Sequence, residues 1–366
     1  TLAAGGRMTQ RYLWVGLAAA IACSGTDDES QTVTAEETTG AETAAVQPIP
    51  EGFRSVTPHL VVTDIPAAIA WYAQALGAEQ TLLINGPGGT PIHGEMRIGD
   101  SVIMVGAEEP QQGARAPSSV GGTCGGLMVY VEDVDAAVAR ATEAGATVGM
   151  PVTDMFWGDR YGQIVDPQGH HWSLATHKFE APMEEMGARA EAFGRAMASG
   201  EAPPTYDDPP ATSWRPENMP VVTPSLVVAS AADLDLYVAA FGATEVSRTL
   251  GPGGSLMHGE LRVGDTIVMF TQADPEHAPT MKTPSELGGV PMNLMLYVED
   301  VDAAHAQAVS AGATNLAPVQ DMFWGDRWGA VSDGAGHMWG IATHVADLTP
   351  EEIQQRMIEQ FGGGGG

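Results

Sequence analysis

Lysine is nearly missing from this chain: among 366 residues only Lys178 and Lys282 are lysines. Lysine and arginine together number 16 against 46 aspartates and glutamates, a formal charge of −30. A polyanion of this kind is repelled by phosphate backbones and anionic lipid surfaces, which excludes nucleic acid as an expected partner. Cysteine is equally scarce. Only Cys23 and Cys124 occur, so neither a disulfide framework nor a cysteine-rich zinc site can be built. Cys124, in a glycine-rich loop, has no neighbour in sequence that would lower its pKa, and reads as a bystander thiol. There is no G-x-S-x-G elbow, no phosphate loop and no zinc-protease helix. The Gly-Pro-Gly-Gly stretches at 86–89 and 251–254 precede no helix, so they read as hairpin turns rather than phosphate cradles.

Long apolar runs are also absent. The one near the start, Leu13 to Ala22, is too short to span a bilayer. Met8 is the expected start, Arg11 supplies a positive flank, and Ala20-Ile21-Ala22-Cys23 resembles a lipobox in which Cys23 is lipidated. The alanine three residues before Cys23 departs from the usual leucine, and Ala20-x-Ala22 also suits ordinary signal peptidase. Both readings make residues 1–23 an export leader and place the protein in a bacterial envelope, as a lipoprotein or otherwise periplasmic or secreted. Residues 24–52 are acidic and read as a disordered tether. The only membrane contact expected is the N-terminal lipid anchor.

What is present in abundance is repetition. HGEMRIGDSVIMV at 93–105 returns as HGELRVGDTIVMF at 258–270. DMFWGDRYG at 154–162 returns as DMFWGDRWG at 321–329, and YVEDVDAA and GH(H/M)W follow suit. The offset is 165 to 167 residues throughout, which chance cannot produce. Within each copy the order strand-helix-strand-strand-strand occurs twice. In copy one the first half has strands near 57–63, 79–85, 91–98 and 101–106, with an amphipathic helix carrying Ile65, Ile69, Tyr72 and Leu76 and ended by Gly77. A C-terminal helix closes each copy, and a proline-rich linker, 201–217, joins them. The resulting domains are 53–200 and 218–361, followed by a glycine tail, 362–366.

TPHLVVTD, AWYAQALGA, HGEMRIGD, YVEDVDAA and FWGDRYGQIVDPQGHHWSLATH resemble the glyoxalase/bleomycin-resistance (vicinal oxygen chelate) superfamily, within it the PhnB-like branch. The resemblance implies an α+β fold: tandem domains, each of two βαβββ modules forming a curled mixed sheet, with helices on the convex face and ligand in the concave cup. It implies that a tandem duplication can make the usual pairing of copies internal, as a pseudo-dimer. It further implies that a divalent metal, where relatives use one, sits on the first and last strands of each module. Carried over by strand register, those positions are Thr57, Met104, Gly126 and Ser173 in copy one, and Thr223, Met269, Asn293 and Gly340 in copy two. None is a His, Asp, Glu or Cys, so the standard metal site and any other cofactor are expected to be absent.

Strand alternation puts His93, Glu95 and Arg97 on the face opposite Met96 and Ile98, with His258, Glu260 and Arg262 as their counterparts. These read either as a solvated, ion-paired strand face or as a cup-lining cluster. In the second reading the catalytic candidates are His93, Glu95, His258 and Glu260, and the arginines anchor an anionic ligand. Phe156, Trp157, Asp159 and Arg160, with Phe323, Trp324, Asp326 and Arg327, read as a structural turn or as a clamp for a planar or anionic ligand. His177 and His344 point to the cup near a strand end. Trp172 and Trp339 read as core, and His170 and His337 as turn-holding residues. The function expected is an exported small-molecule binder without the family's standard metal. The alternatives are a lyase, isomerase or dioxygenase of the same family, and a structural or partner-binding envelope protein.

Overall fold

The computed structural model describes residues 46–361, except Pro87 and Asn218. The leader with Cys23, the first part of the tether (24–45) and the glycine tail lie outside the described residues.

The chain runs through four βαβββ modules. The first holds β1 (Val56–Val62), α1 (Ile65–Leu76), β2 (Glu79–Asn85), β3 (Pro91–Ile98) and β4 (Ser101–Ala107). After a one-turn helix α2 (Pro117–Val120), the second holds β5 (Gly125–Tyr130), α3 (Val134–Glu143), β6 (Thr147–Asp154), β7 (Asp159–Val165) and β8 (His171–His177), closed by α4 (Met186–Ser199). The third holds β9 (Val222–Val228), α5 (Asp233–Phe241), β10 (Thr244–Leu250), β11 (Leu256–Val263) and β12 (Thr266–Gln272). A second one-turn helix, α6 (Pro284–Leu287), precedes the fourth: β13 (Met292–Tyr297), α7 (Val301–Ser310), β14 (Thr314–Asp321), β15 (Asp326–Ser332), β16 (Met338–His344) and the closing helix α8 (Pro350–Phe361).

Local chemistry explains these elements. Asp64, Asp133 and Asp300 each cap a helix, the carboxylate accepting the backbone N–H three residues on. Gly77 ends α1 at φ 70°, a left-handed conformation that costs a residue with a Cβ about 1 kcal/mol. On α1, Ile65, Ala68, Ile69, Tyr72 and Leu76 are buried against the sheet. Strands alternate as the pattern requires. Leu60 and Val62 of β1 and Met96 and Ile98 of β3 enter the helix-covered core. Trp172 and Trp339 join them, almost fully buried.

The sheets do not follow the repeat. Each is eight-stranded and takes one module from each copy: β14-β15-β16-β13-β1-β4-β3-β2 and β10-β11-β12-β9-β5-β8-β7-β6. The seams are the antiparallel pairs β1·β13, with His59 opposite Asn293, and β5·β9, with Gly126 opposite Ser225. The second seam is close: a Cβ on Gly125 would lie 2.2 Å from the Ser225 carbonyl oxygen. The metal-position sets therefore regroup. Thr57 and Met104 share a hollow with Asn293 and Gly340, while Thr223 and Met269 share the other with Gly126 and Ser173. We call the hollow of modules one and four cup one, and that of modules two and three cup two. The linker is not a free spacer. Arg189 of α4 pairs with Asp208, and Trp214 packs with Met219 into the cluster of Met128, Tyr130 and Ala175 in cup two.

Candidate functional site

Cup one encloses a cavity of about 340 Å³. Alternation along β1 builds its floor: Leu60 faces the helices, so His59 and Val61 face the hollow. His93 and Glu95 of β3, Met104 and Gly106 of β4, and Asn293 and Met295 of β13 complete it. Trp324, Asp326, Trp328 and His344 stand on the far wall. Leu348, Pro350 and Ile353 roof it at the start of α8, which is tied to β2 by two hydrogen bonds between Gln354 and the Asn85 backbone (3.0 and 2.8 Å).

His59 is the residue that the repeat comparison should have exposed. Copy two has Ser225 in its place, in otherwise matching TPHLVV and TPSLVV segments. The first-strand position expected at Thr57 lies two residues before His59 on the same face of β1. The His59 Nε2 is buried with no hydrogen-bond partner. It lies over Gly106, where a Cβ would come within 2.5 Å of it. Burial, and next the neighbouring His93, push its pKa down to about 3, so the ring is neutral at ordinary pH. The His59 and His93 rings meet edge to face at 5.5 Å. Trp328, the last aromatic of the repeated FWGDR(Y/W) segment, is the second such residue. Its Nε1–H is also buried without a partner, over Gly340.

His93 and Glu95 do come together, 3.5 Å apart, each side chain under one-fifth exposed. Their counterparts His258 and Glu260 hydrogen-bond at 3.0 Å on the more open wall of cup two. The arginines leave the site, which corrects the expected anion anchor. Arg97 is exposed and paired with Glu79. Arg160 is held by Asp135 and Asp154, and Arg327 by Asp302 and Asp321. Alternation explains this: Asp159 and Tyr161 face the cup, so Arg160 between them faces the helix layer. Arg262 lies on β11 opposite Thr244 and is not part of cup one. Phe156 meets Phe193 of α4 with rings tilted 54°, and Phe323 packs with Ile353, Met357 and Phe361 of α8, so both phenylalanines dock closing helices.

Asp159 and Asp326 are buried hubs. Asp326 accepts from Tyr297 Oη (3.1 Å), Trp324 Nε1 (3.0 Å) and His344 Nδ1 (2.8 Å). Asp159 repeats this with Tyr130, Trp157 and His177 at 3.0, 3.1 and 2.8 Å. The aspartate hydrogen bond is the largest influence on each histidine and raises its pKa. His170 and His337 tie their turns to the Val61 and Val227 carbonyls of the modules' first strands. Cys124 donates to the Met292 carbonyl, and burial pushes its pKa up to about 12, which leaves it inert as a nucleophile.

The donor set does not fit a divalent cation. Strand pairing puts His59, not Thr57, level with Met104 and Asn293 in cup one, so the donors at the expected positions are one imidazole, a thioether, an amide and, at Gly340, no side chain. Among the described residues no three His, Cys, Asp or Glu side chains are arranged to hold a metal ion. The cups also differ. Tyr161, the counterpart of Trp328, hydrogen-bonds Ser173 (2.7 Å) and accepts from Gln163, whereas Gly340 and Ala330 stand in place of those two partners in cup one. A second cavity, about 440 Å³, opens beside Gln163 and His171, bounded by residues 278–281.

The model of the Glyoxalase/Bleomycin resistance protein/Dioxygenase superfamily matches residues 54–174 and 227–341. An uncharacterized protein of Mycobacterium bovis is 41% identical over 146 residues, covering 39% of this chain and 96% of its own length. One from Mycobacterium tuberculosis H37Rv is 41% identical over the same length, covering 86% of its own. Glyoxalase I from Zea mays superposes with a TM-score of 0.51 at 11% identity, covering 84% of this chain and 97% of that one, a likeness of fold. With both copies matched, the chain belongs to the glyoxalase/bleomycin resistance/dioxygenase superfamily, as a tandem duplication.

Proposed function

We propose that this protein binds one small molecule in cup one and performs no metal-dependent chemistry there. The observation that carries the reading is a largely apolar cavity of about 340 Å³ whose floor and wall hold two buried ring nitrogens, of His59 and Trp328, without protein partners. Buried polar atoms left unpaired cost about 1–3 kcal/mol each, a cost that a hydrogen-bonding ligand relieves once the rings turn toward it. Cup two carries a linker tryptophan, Trp214, and an internally satisfied Tyr161–Ser173–Gln163 set at the corresponding place. The expected stoichiometry is therefore one ligand per chain. Native mass spectrometry with a panel of small aromatic compounds, before and after dialysis against EDTA, checks it. Two equivalents bound, or binding lost with the metal, sinks the reading.

The enzymatic alternative draws on His93 and Glu95, whose proximity suits proton transfer. Turnover of the methylglyoxal–glutathione hemithioacetal, abolished in Glu95→Gln, is its test. The leader adds an envelope location: Cys23→Ala is expected to move the protein from the membrane fraction to the soluble fraction. Unchanged partition ends the lipoprotein assignment.

A further inference from the structure

We infer that cup one selects a flat aromatic molecule bearing a protonated amine and rejects anions of the same shape. This deepens, and rests on, the reading of cup one as a ligand seat.

Charge comes first. No lysine or arginine lines the cavity, while three carboxylates do: Glu95, Glu109 and Asp326. Asp326 is already satisfied by three donors. Glu95 meets His93 at 3.5 Å, longer than a typical hydrogen bond, and has no arginine or lysine against it in the cavity. Glu109 is half-buried, and burial raises its pKa, the mark of a carboxylate short of a counter-charge. The neighbouring imidazole of His59 is neutral and offers an anion no counter-charge. An entering carboxylate or phosphate meets like charge in a partly desolvated hollow, within a chain of formal charge −30. An ammonium brings the permanent positive charge that no residue lining the cavity supplies to Glu95 and Glu109.

Shape comes second. Phe53, Tyr297, Trp324 and Trp328 present rings to the cavity, with the thioethers of Met104 and Met295 beside them. Phe53 meets Tyr297 edge to face at 5.6 Å, and Trp324 meets Trp328 likewise at 6.2 Å, leaving ring faces and edges for an inserted π-system. The volume is near the low end of small-molecule pockets, about 300–1,000 Å³, which favours a few fused rings over a peptide or nucleotide. The unpartnered Trp328 Nε1–H selects an acceptor on the ligand.

Three probes of one shape separate these terms: 2-naphthylmethylamine, 2-naphthalenemethanol and 2-naphthoate, titrated into the full chain by calorimetry. The amine is expected to bind at least about tenfold tighter than the naphthoate, a modest demand on a partly solvated ion pair. Glu95→Gln combined with Glu109→Gln is expected to weaken the amine at least about tenfold more than the alcohol, an equal loss for both overturning the charge selection. Leu82→Trp, which fills the cavity, is expected to abolish all binding. Naphthoate binding as tightly as the amine overturns the charge selection while leaving the ligand seat standing. Amine binding that survives Leu82→Trp is adsorption to the acidic surface and overturns the assignment to cup one. Failure of all three probes at millimolar concentration, with Leu82→Trp and the parent chain melting alike, removes the ligand seat and this inference together.

Discussion

Replacing His59 with serine, the residue copy two already has at Ser225, is expected to make the protein markedly more resistant to acid. The native state holds the His59 ring neutral, with a pKa near 3, whereas an unfolded chain protonates it at about 6.5. Below pH 6.5 the unfolded chain therefore binds a proton that the native state refuses. The stability associated with His59 is fully present above 6.5 and is lost as pH falls toward 3, up to roughly 5 kcal/mol in total and roughly 2–3 kcal/mol by pH 4.5. His59→Ser has no such proton to take. Urea midpoints at pH 7.5 and pH 4.5 measure it: the parent chain should lose roughly 2 kcal/mol more than the variant. Parallel losses would show that His59 does not titrate between those values. The same variant removes a ring from the cavity floor and is expected to weaken ligand binding at neutral pH.

Asp326→Ala and Asp159→Ala should be the most damaging single substitutions in the two cups. Each removes the common acceptor of a phenol, an indole and an imidazole, and strands all three in nearly dry surroundings. Breaking a buried charged network from one side costs about 3–5 kcal/mol. Thermal melts are expected to fall by similar amounts in both variants, because the geometry of the hubs is repeated. Ligand binding should separate them: Asp326 lines the cup-one cavity, so Asp326→Ala impairs binding at temperatures where it is folded, and Asp159→Ala does not. Equal binding by the two would contradict a single seat. The hubs also set a high-pH limit. The folded pKa of His177 and of His344 is raised, so the stability they confer is complete below about 6.5 and drains as pH climbs through the raised values. His59 works in the opposite sense, and stability is greatest between the two.

Much of this was legible in the residues. Alternation located the strands to within a residue or two, separated Met96 and Ile98 from His93 and Glu95, and put Trp172 and Trp339 in the core. The pairing of modules across copies was not legible. β1 and β9 are nearly the same sequence, so local chemistry offers β13 almost identical partners in either. The observed pairing is accompanied by contacts between distant loops, Ala114 with Val290 and Thr123 with Met281, which no local pattern encodes. Arg160 and Arg327 were misplaced because FWGDR was read as one unit. The two-residue period inside it already divides Asp159 from Arg160.

The exchange of halves has a bearing on how this protein acquired its character. Since the front of each repeat serves one hollow and the back serves the other, neither repeat owns a site. A substitution such as His59 for serine retunes one hollow and leaves its twin untouched, without either repeat being released from building both. Specialisation and upkeep of the scaffold are thereby uncoupled inside a single gene product.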